Sequence, residues 1–276
     1  MIPAGIFLFG LIIGSFLNVC ILRIPARESI VKPSSRCPVC KTPIKPYDNI
    51  PVLSWLLLGG KCRNCHTKIS PLYPLIELTT GGLFLLAYID FGLTLTTAKW
   101  AALSALLLVL TATDIRERIL PDKVNLFGFI IGILFSFFLL PMDGAALWIA
   151  NRIFEFPPPQ AALACVDALL GALAGSGLLW IVSEGYFHLR GKEGMGLGDV
   201  KMMAMVGAFL GVKRTLLTIL FGSLLGSVIG LAIMLLMRKD RDFELPFGAF
   251  LAAGALLVVY IGTPVLNWYQ GLLFGR

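Results

Sequence analysis

Charge is scarce in this sequence. Asp, Glu, Lys and Arg supply 14% of 276 residues, and there are only two histidines, whereas an average soluble domain is ~25% charged. A soluble core of this size would leave large apolar surface facing water, so soluble globular, collagen-like and disordered classes are excluded. Neither histidine has the partners of a catalytic triad, and no Walker or dinucleotide glycine fingerprint is present. No internal repeat marks the paired halves that a transporter often shows. What the chain has instead is apolar residue, 57% of the total, with a mean hydropathy of +0.86. Its solvent is lipid.

From Ile2 to Leu22 no side chain is charged, and Arg23 and Arg27 follow. A secretory signal peptide carries its positive charge before a shorter apolar stretch, so this reads as an uncleaved first span. Further apolar runs at about 73–91, 97–113, 124–141, 161–183, 201–212, 215–237 and 246–263 make eight candidate spans. The run 201–212 is too short alone. It reads as a half-span, a tilted helix, or a helix whose polar start is buried in protein. Gly10/Gly14, Gly171/Gly175, Gly207/Gly211, Gly222/Gly226 and Gly226/Gly230 repeat at four-residue spacing, which lets helix backbones approach closely. Residues 142–160, with Trp148, Arg152 and Pro157 to Pro159, read as an amphipathic interfacial segment.

Residues 24–72 form the one soluble module, with Pro, Cys and Lys/Arg throughout. Residues 23–72 hold nine Lys and Arg against Glu28 and Asp48, a net +7 equal to that of the whole chain. The loops near 114–123, 184–201 and 238–244 hold three Lys and Arg each, so one side carries 18 of 23. The other side has Lys99, Arg152, Lys213, Arg214 and Arg276. By the positive-inside rule the module is cytoplasmic and both termini lie outside. Topology accounts for the basic charge, so no nucleic-acid partner is expected.

Cys37 and Cys40 are separated by two residues, as are Cys62 and Cys65, with twenty-one residues between the pairs. Two such knuckles can close four thiolates around one ion, and four thiolates leave no open position for catalysis, so structural zinc is the default metal. Two disulfides, a redox pair or an iron centre remain as alternatives. A module of under fifty residues with a meagre core needs such a staple. His66 adjoins Cys65 and is either a substitute ligand or an exposed neighbour. Cys20 and Cys165 lie within spans and read as small apolar residues.

Among the acids, the informative ones stand against or inside apolar runs. Asp114 ends the run Leu106–Thr113. Asp199 stands in Met195-Gly196-Leu197-Gly198-Asp199-Val200-Lys201, at the start of the short run. By the charge count both fall on the cytoplasmic side, at one depth. Two carboxylates held close cannot both ionise easily, so such a pair supplies an acid and a base and can hydrolyse an amide with an activated water. The glycines before Asp199 would let a substrate backbone approach. The competing reading of each Asp alone is a helix cap or interfacial charge. Glu77, four residues after Tyr73, either pairs with a Lys or Arg or lines the site. Asp167 reads as structural, and Asp122 reads as a helix cap.

These residues resemble a known family, the type IV prepilin peptidases, also called prepilin leader peptidase/N-methyltransferases. The resemblance rests on Gly14-Ser15-Phe16-Leu17-Asn18-Val19 with Arg23 and Pro25, on the two cysteine knuckles, and on Tyr73-Pro74-Leu75-Ile76-Glu77. It continues through Asp114, Pro121-Asp122, Gly196-Leu197-Gly198-Asp199-Val200-Lys201 and Pro246-Phe247-Gly248. One departure is Ala249, where the family commonly shows Pro; it is expected to lie outside the aspartate pair. The resemblance implies an enzyme that cleaves the basic leader of type IV prepilins and type II secretion pseudopilins after a Gly on the cytoplasmic side. It further implies N-methylation of the new amino terminus with S-adenosylmethionine. Asp114 and Asp199 match the catalytic aspartates, with Gly196, Gly198, Lys201, Glu77 and Asn18 as supporting motif residues. No residues are assigned to S-adenosylmethionine.

The expectation is therefore an all-α polytopic membrane protein of the bacterial inner membrane, with about eight transmembrane helices. Residues 1–23 form the first helix, 24–72 a zinc module held by Cys37, Cys40, Cys62 and Cys65, and 73–276 an aspartyl protease bundle. Its partners are prepilin and pseudopilin substrates and the lipid bilayer. The rival is a zinc-module membrane scaffold or ion transporter without protease activity.

Overall fold

The computed structural model describes residues 1–139, 144–153, 158–192, 194–237 and 245–274. Among these the chain is helical, and the only β pairing is two isolated antiparallel bridges, Arg36 with Pro43 and Lys61 with Lys68. The helices are α1 (Ile2–Arg23), α2 (Leu53–Leu57), α3 (Leu72–Phe91), α4 (Leu95–Glu117), α5 (Asp122–Phe138), α6 (Ala145–Ile153), α7 (Gln160–Arg190), α8 (Leu197–Leu210), α9 (Val212–Met237) and α10 (Phe247–Phe274). Each of the eight apolar runs forms a helix. Six of these, α1, α3, α4, α7, α9 and α10, are long and apolar enough to cross a membrane. The other two are shorter, α5 with 17 residues and α8 with 14.

The chain divides into two compact units, Met1–Thr113 and Asp114–Arg276. In the first, α1 packs along α3. A Cβ on Gly10 would lie 2.7 Å from Gly81 Cα, and one on Gly14 would lie 2.6 Å from Glu77 Cα, so these glycines let the two backbones meet. Phe9 and Phe84 pack beside this contact, with ring centroids 6.2 Å apart. The soluble module stands between the two helices in sequence, and α2 is its short helix.

The second unit is built around α8. Met202, Met203, Met205, Val206 and Leu210 have no exposed surface, because α5, α7, α9 and α10 all pack against this helix. That resolves the short run: α8 needs no full span, since protein rather than lipid surrounds it and its polar start is buried. The register of its neighbours is set by small residues. Gly171 of α7 meets the backbone of Gly207, and a Cβ on Gly175 would lie 2.6 Å from Met203 O, so α7 runs antiparallel to α8. Gly132 of α5 packs on Ala208 and Phe209, while Asp122 reaches Lys201, so α5 runs parallel to α8. Along α9 and α10, Gly222 meets Leu251 and Gly230 meets Leu245, an antiparallel pair.

Helix α6 lies in the segment expected to be interfacial; residues 142–143 and 154–157 of that segment, and 140–141 at the end of the preceding apolar run, lie outside the described residues. It buries Ala146 and Ala150 against Leu163 and exposes Leu147, Trp148 and Ile153. Arg152 sits over the Trp148 ring at 5.0 Å, a pairing suited to a lipid–water boundary. Asp167 is structural, as expected: its Oδ1 accepts the Ala146 N–H at 3.1 Å and satisfies a donor at the start of α6.

Candidate active site and metal centre

In the soluble module both cysteine knuckles fold into the same turn. Cys37 N–H donates to Thr42 O and Lys41 N–H to Cys37 O; in the second knuckle Cys62 N–H donates to Thr67 O and His66 N–H to Cys62 O. Lys41 and His66, each just after the second cysteine, both take a left-handed conformation, at φ 58° and 54°. The shared turn points both thiols of each pair to one side. All four Sγ atoms lie within 4.8 Å of one another, with Cys37 to Cys65 at 3.7 Å and Cys40 to Cys62 at 4.0 Å. Zn–S bonds of ~2.3 Å in a tetrahedron put sulfurs roughly 3.8 Å apart, so the donor set fits one such ion. The closest sulfurs are thus well beyond the ~2.05 Å of a disulfide bond, and His66 is exposed and outside the cluster.

Hydrogen bonds favour thiolate at Cys40 and Cys62, whereas at Cys65 the lowering by the Thr67 backbone is outweighed by burial and the neighbouring cysteine sulfurs, which push the thiol up to about 11. Asn64 Nδ2 donates to Thr42 Oγ1 at 3.1 Å, and Cys40 Sγ is hydrogen-bonded to the same hydroxyl at 3.3 Å. Hydrogen bonds from the Thr42 hydroxyl and backbone and from Asn64 bring the Cys40 thiol down to about 5. The Cys62 thiol is lowered as well, by the backbone N–H groups of Cys65 and Asn64. Arg63 grips Asp48 through three hydrogen bonds of 2.6 to 3.0 Å, which holds the Asp48 carboxyl below its usual range. Lys45 and Arg63 flank the Tyr47 ring at 5.6 and 5.7 Å.

In the second unit Asp114 stands in the last turn of α4 and Asp199 in the first turn of α8. Gly196, extended at φ −72°, begins α8 as its N-cap, which puts Asp199 on the third helical residue. Both carboxylates are buried, at 6% and 8% exposure. They converge on the start of α10. A Cβ on Gly248 would lie 3.0 Å from Asp199 Oδ1 and 3.1 Å from Asp114 Oδ2, so the two oxygens are at most 6.1 Å apart. Asp114 Oδ2 also accepts the Ala249 N–H at 3.0 Å, one of the donors that the first turn of a helix leaves unpaired. Asp199 Oδ1 is buried with no hydrogen-bond partner among the described residues. Two acidic oxygens thus face one small space, one anchored by α10 and one open to a donor.

Residues 8–91 match the family described as Bacterial Peptidase A24 N-terminal domain, and residues 101–231 the Type IV leader peptidase family. The chain is 35% identical to the prepilin leader peptidase/N-methyltransferase of Aeromonas salmonicida (strain A449), over 96% of this chain and 92% of that one. It is 37% identical to the protein of the same name from Neisseria gonorrhoeae, covering 94% and 92%, and 33% to that of Bacillus subtilis (strain 168), covering 98% of each. The chain belongs to the prepilin leader peptidase/N-methyltransferase family. No solved structure matches it.

The motifs that carry the family likeness fall into separate contacts. Asn18 Nδ2 donates to Tyr73 O at 3.1 Å, joining α1 to the start of α3. Glu77 Oε2 accepts the Val52 N–H at 2.7 Å, so its partner is a backbone donor of the soluble module rather than a lysine or arginine. Val52 itself is held at φ 60°, a strained conformation for a β-branched residue. Lys201 Nζ binds both Asp122 oxygens at 2.8 Å. This corrects the capping expectation: Pro121 is the N-cap of α5 and Asp122 its first helical residue, and the Asp122 side chain links α5 to α8.

Ala249 is a second correction. It was expected to lie outside the aspartate pair, yet its backbone N–H binds Asp114. Sequence reasoning missed it because a backbone donor leaves no side-chain signature. The adjacent Pro246-Phe247-Gly248 was the available signal: a glycine at a helix start marks close approach.

Proposed function

We propose that this chain is a membrane-embedded aspartyl endopeptidase that removes the basic leader of type IV prepilins and pseudopilins after a glycine, at the cytoplasmic membrane face. We propose also that it N-methylates the new amino terminus, with S-adenosylmethionine as methyl donor. The observation that carries the reading is the convergence of Asp114 and Asp199 on Gly248, with Asp199 Oδ1 unpartnered. The names of the relatives support it.

Oxygens at most 6.1 Å apart can hold one water between them, since each hydrogen bond spans ~2.7 Å. A carboxylate pair sharing one proton provides both groups that amide hydrolysis needs. The ionised carboxylate takes a proton from water as it attacks the carbonyl carbon. The protonated one then donates to the departing amine. Asp114 is oriented by Ala249 N–H, and Gly198 and Gly248, having no side chains, let Leu120 and the two carboxylates pack close to the backbone.

Orientation follows from the same helix ends. The end of α4 and the starts of α8 and α10 lie on one side if successive helices alternate across the bilayer, and these are the ends that meet at Gly248. With 18 of 23 Lys and Arg on that side, it is cytoplasmic and both termini lie outside. Within this reading residues 1–23 serve as a transmembrane helix, 24–72 as a zinc-stapled module on Cys37, Cys40, Cys62 and Cys65, and 73–276 as the protease bundle. Zinc there is structural, since four thiolates close its coordination. The test is to incubate the detergent-purified chain with a prepilin, with and without S-adenosylmethionine, and weigh the products. Loss of the leader in both samples and a gain of one methyl group only with the donor is expected. An intact prepilin would contradict the reading.

A further inference from the structure

Leu120 lies in the short loop between α4 and α5. A Cβ on Gly198 would meet Leu120 Cβ at 3.0 Å and Cδ1 at 3.4 Å, and a Cβ on Gly248 would meet Leu120 Cδ1 at 2.8 Å. The same Gly248 position is within 3.1 Å of both aspartate oxygens. One leucine side chain therefore covers two glycine backbones and the space into which the carboxylates point. The loop that carries it begins at Arg118, held left-handed at φ 55°, which ends α4 one turn after Asp114. That turn aims Leu120 back over the pair rather than outward.

We propose that Leu120 sets the specificity of the site by excluding any side chain on the residue whose carbonyl is attacked. The proposal rests on the proteolytic reading of Asp114 and Asp199. For attack, the carbonyl carbon must come within ~3–3.5 Å of a water held by the pair. The neighbouring substrate Cα then lies one bond further, in the space bounded by Leu120, Gly198 and Gly248. Neither glycine position has room for a Cβ, because Leu120 packs against both. A substrate glycine fits. An alanine methyl would contact the Leu120 side chain, and a hydrophobic wall rejects one extra methylene by about 10–200-fold.

The experiment uses the full chain in detergent and two prepilins that differ only in having Gly or Ala before the cut, with Asp199→Asn as the inactive control. The wild type should favour the Gly substrate by at least ~10-fold in kcat/KM. Leu120→Ala should move the Ala:Gly ratio at least ~10-fold toward Ala, whatever its absolute rates. Leu120→Val, which keeps a smaller branched apolar side chain if the alanine variant fails to fold, should move the ratio in the same direction by a smaller factor. A ratio unchanged within about twofold in the folded variants overturns the proposal while leaving the protease reading intact. Failure of the wild type to cut the Gly substrate would instead overturn the protease reading, and this inference with it.

Discussion

Ala249 donates its backbone N–H to Asp114 Oδ2 at 3.0 Å, tying the last turn of α4 to the first turn of α10. A proline at 249 has no such donor. Because the residue stands third in α10, its N–H has no intrahelical partner to lose, and proline is tolerated in a first helical turn. Ala249→Pro should therefore leave α10 intact, while its ring Cδ takes the place of the amide hydrogen and forces the Asp114 carboxylate aside. The expected result is an unchanged melting temperature with prepilin cleavage lowered by less than about tenfold, the scale of one net hydrogen bond. A collapse of activity would mean that the contact does more than orient the carboxylate.

The thiolate cluster predicts about one zinc ion per chain. Metal analysis of the purified protein should find it, and a variant with serine at Cys37, Cys40, Cys62 and Cys65 should lose it. The knuckle turns alone are too small to hold residues 24–72 together, so the variant should also become sensitive to trypsin within that stretch. Unchanged zinc content would contradict the assignment.

Glu77 fixes α3 to the module through Val52. Truncation leaves a partly buried N–H unpaired, a cost of about 1–3 kcal/mol. Glu77→Ala should thus lower stability by that amount and speed proteolysis near Val52. Glu77→Gln keeps an acceptor oxygen and should fall between the two. If Gln and Ala variants behave alike, the carboxylate has a role beyond this hydrogen bond.

Much of this architecture was legible in the sequence. Each apolar run became a helix because a backbone in lipid must satisfy its own polar groups. The cysteine spacing located the cluster because two such turns leave little freedom for the thiols, and Asp114 and Asp199 stood out because charge against apolar sequence is costly. What was not legible depends on tertiary register. Asp122 read as a cap, but its side chain found Lys201 across a helix pair. Ala249 and Leu120 carry no polar side chain, so their places beside the carboxylates emerge only when α4, α8 and α10 meet.

The most direct test of the central claim is the cleavage rate of Asp114→Asn, Asp199→Asn and the double variant on one prepilin, with membrane insertion checked for each. If the two carboxylates act as one unit, each single substitution should lower kcat by at least ~1,000-fold, and the double variant should be little worse than either. Near-normal turnover by either correctly inserted single variant would contradict the account.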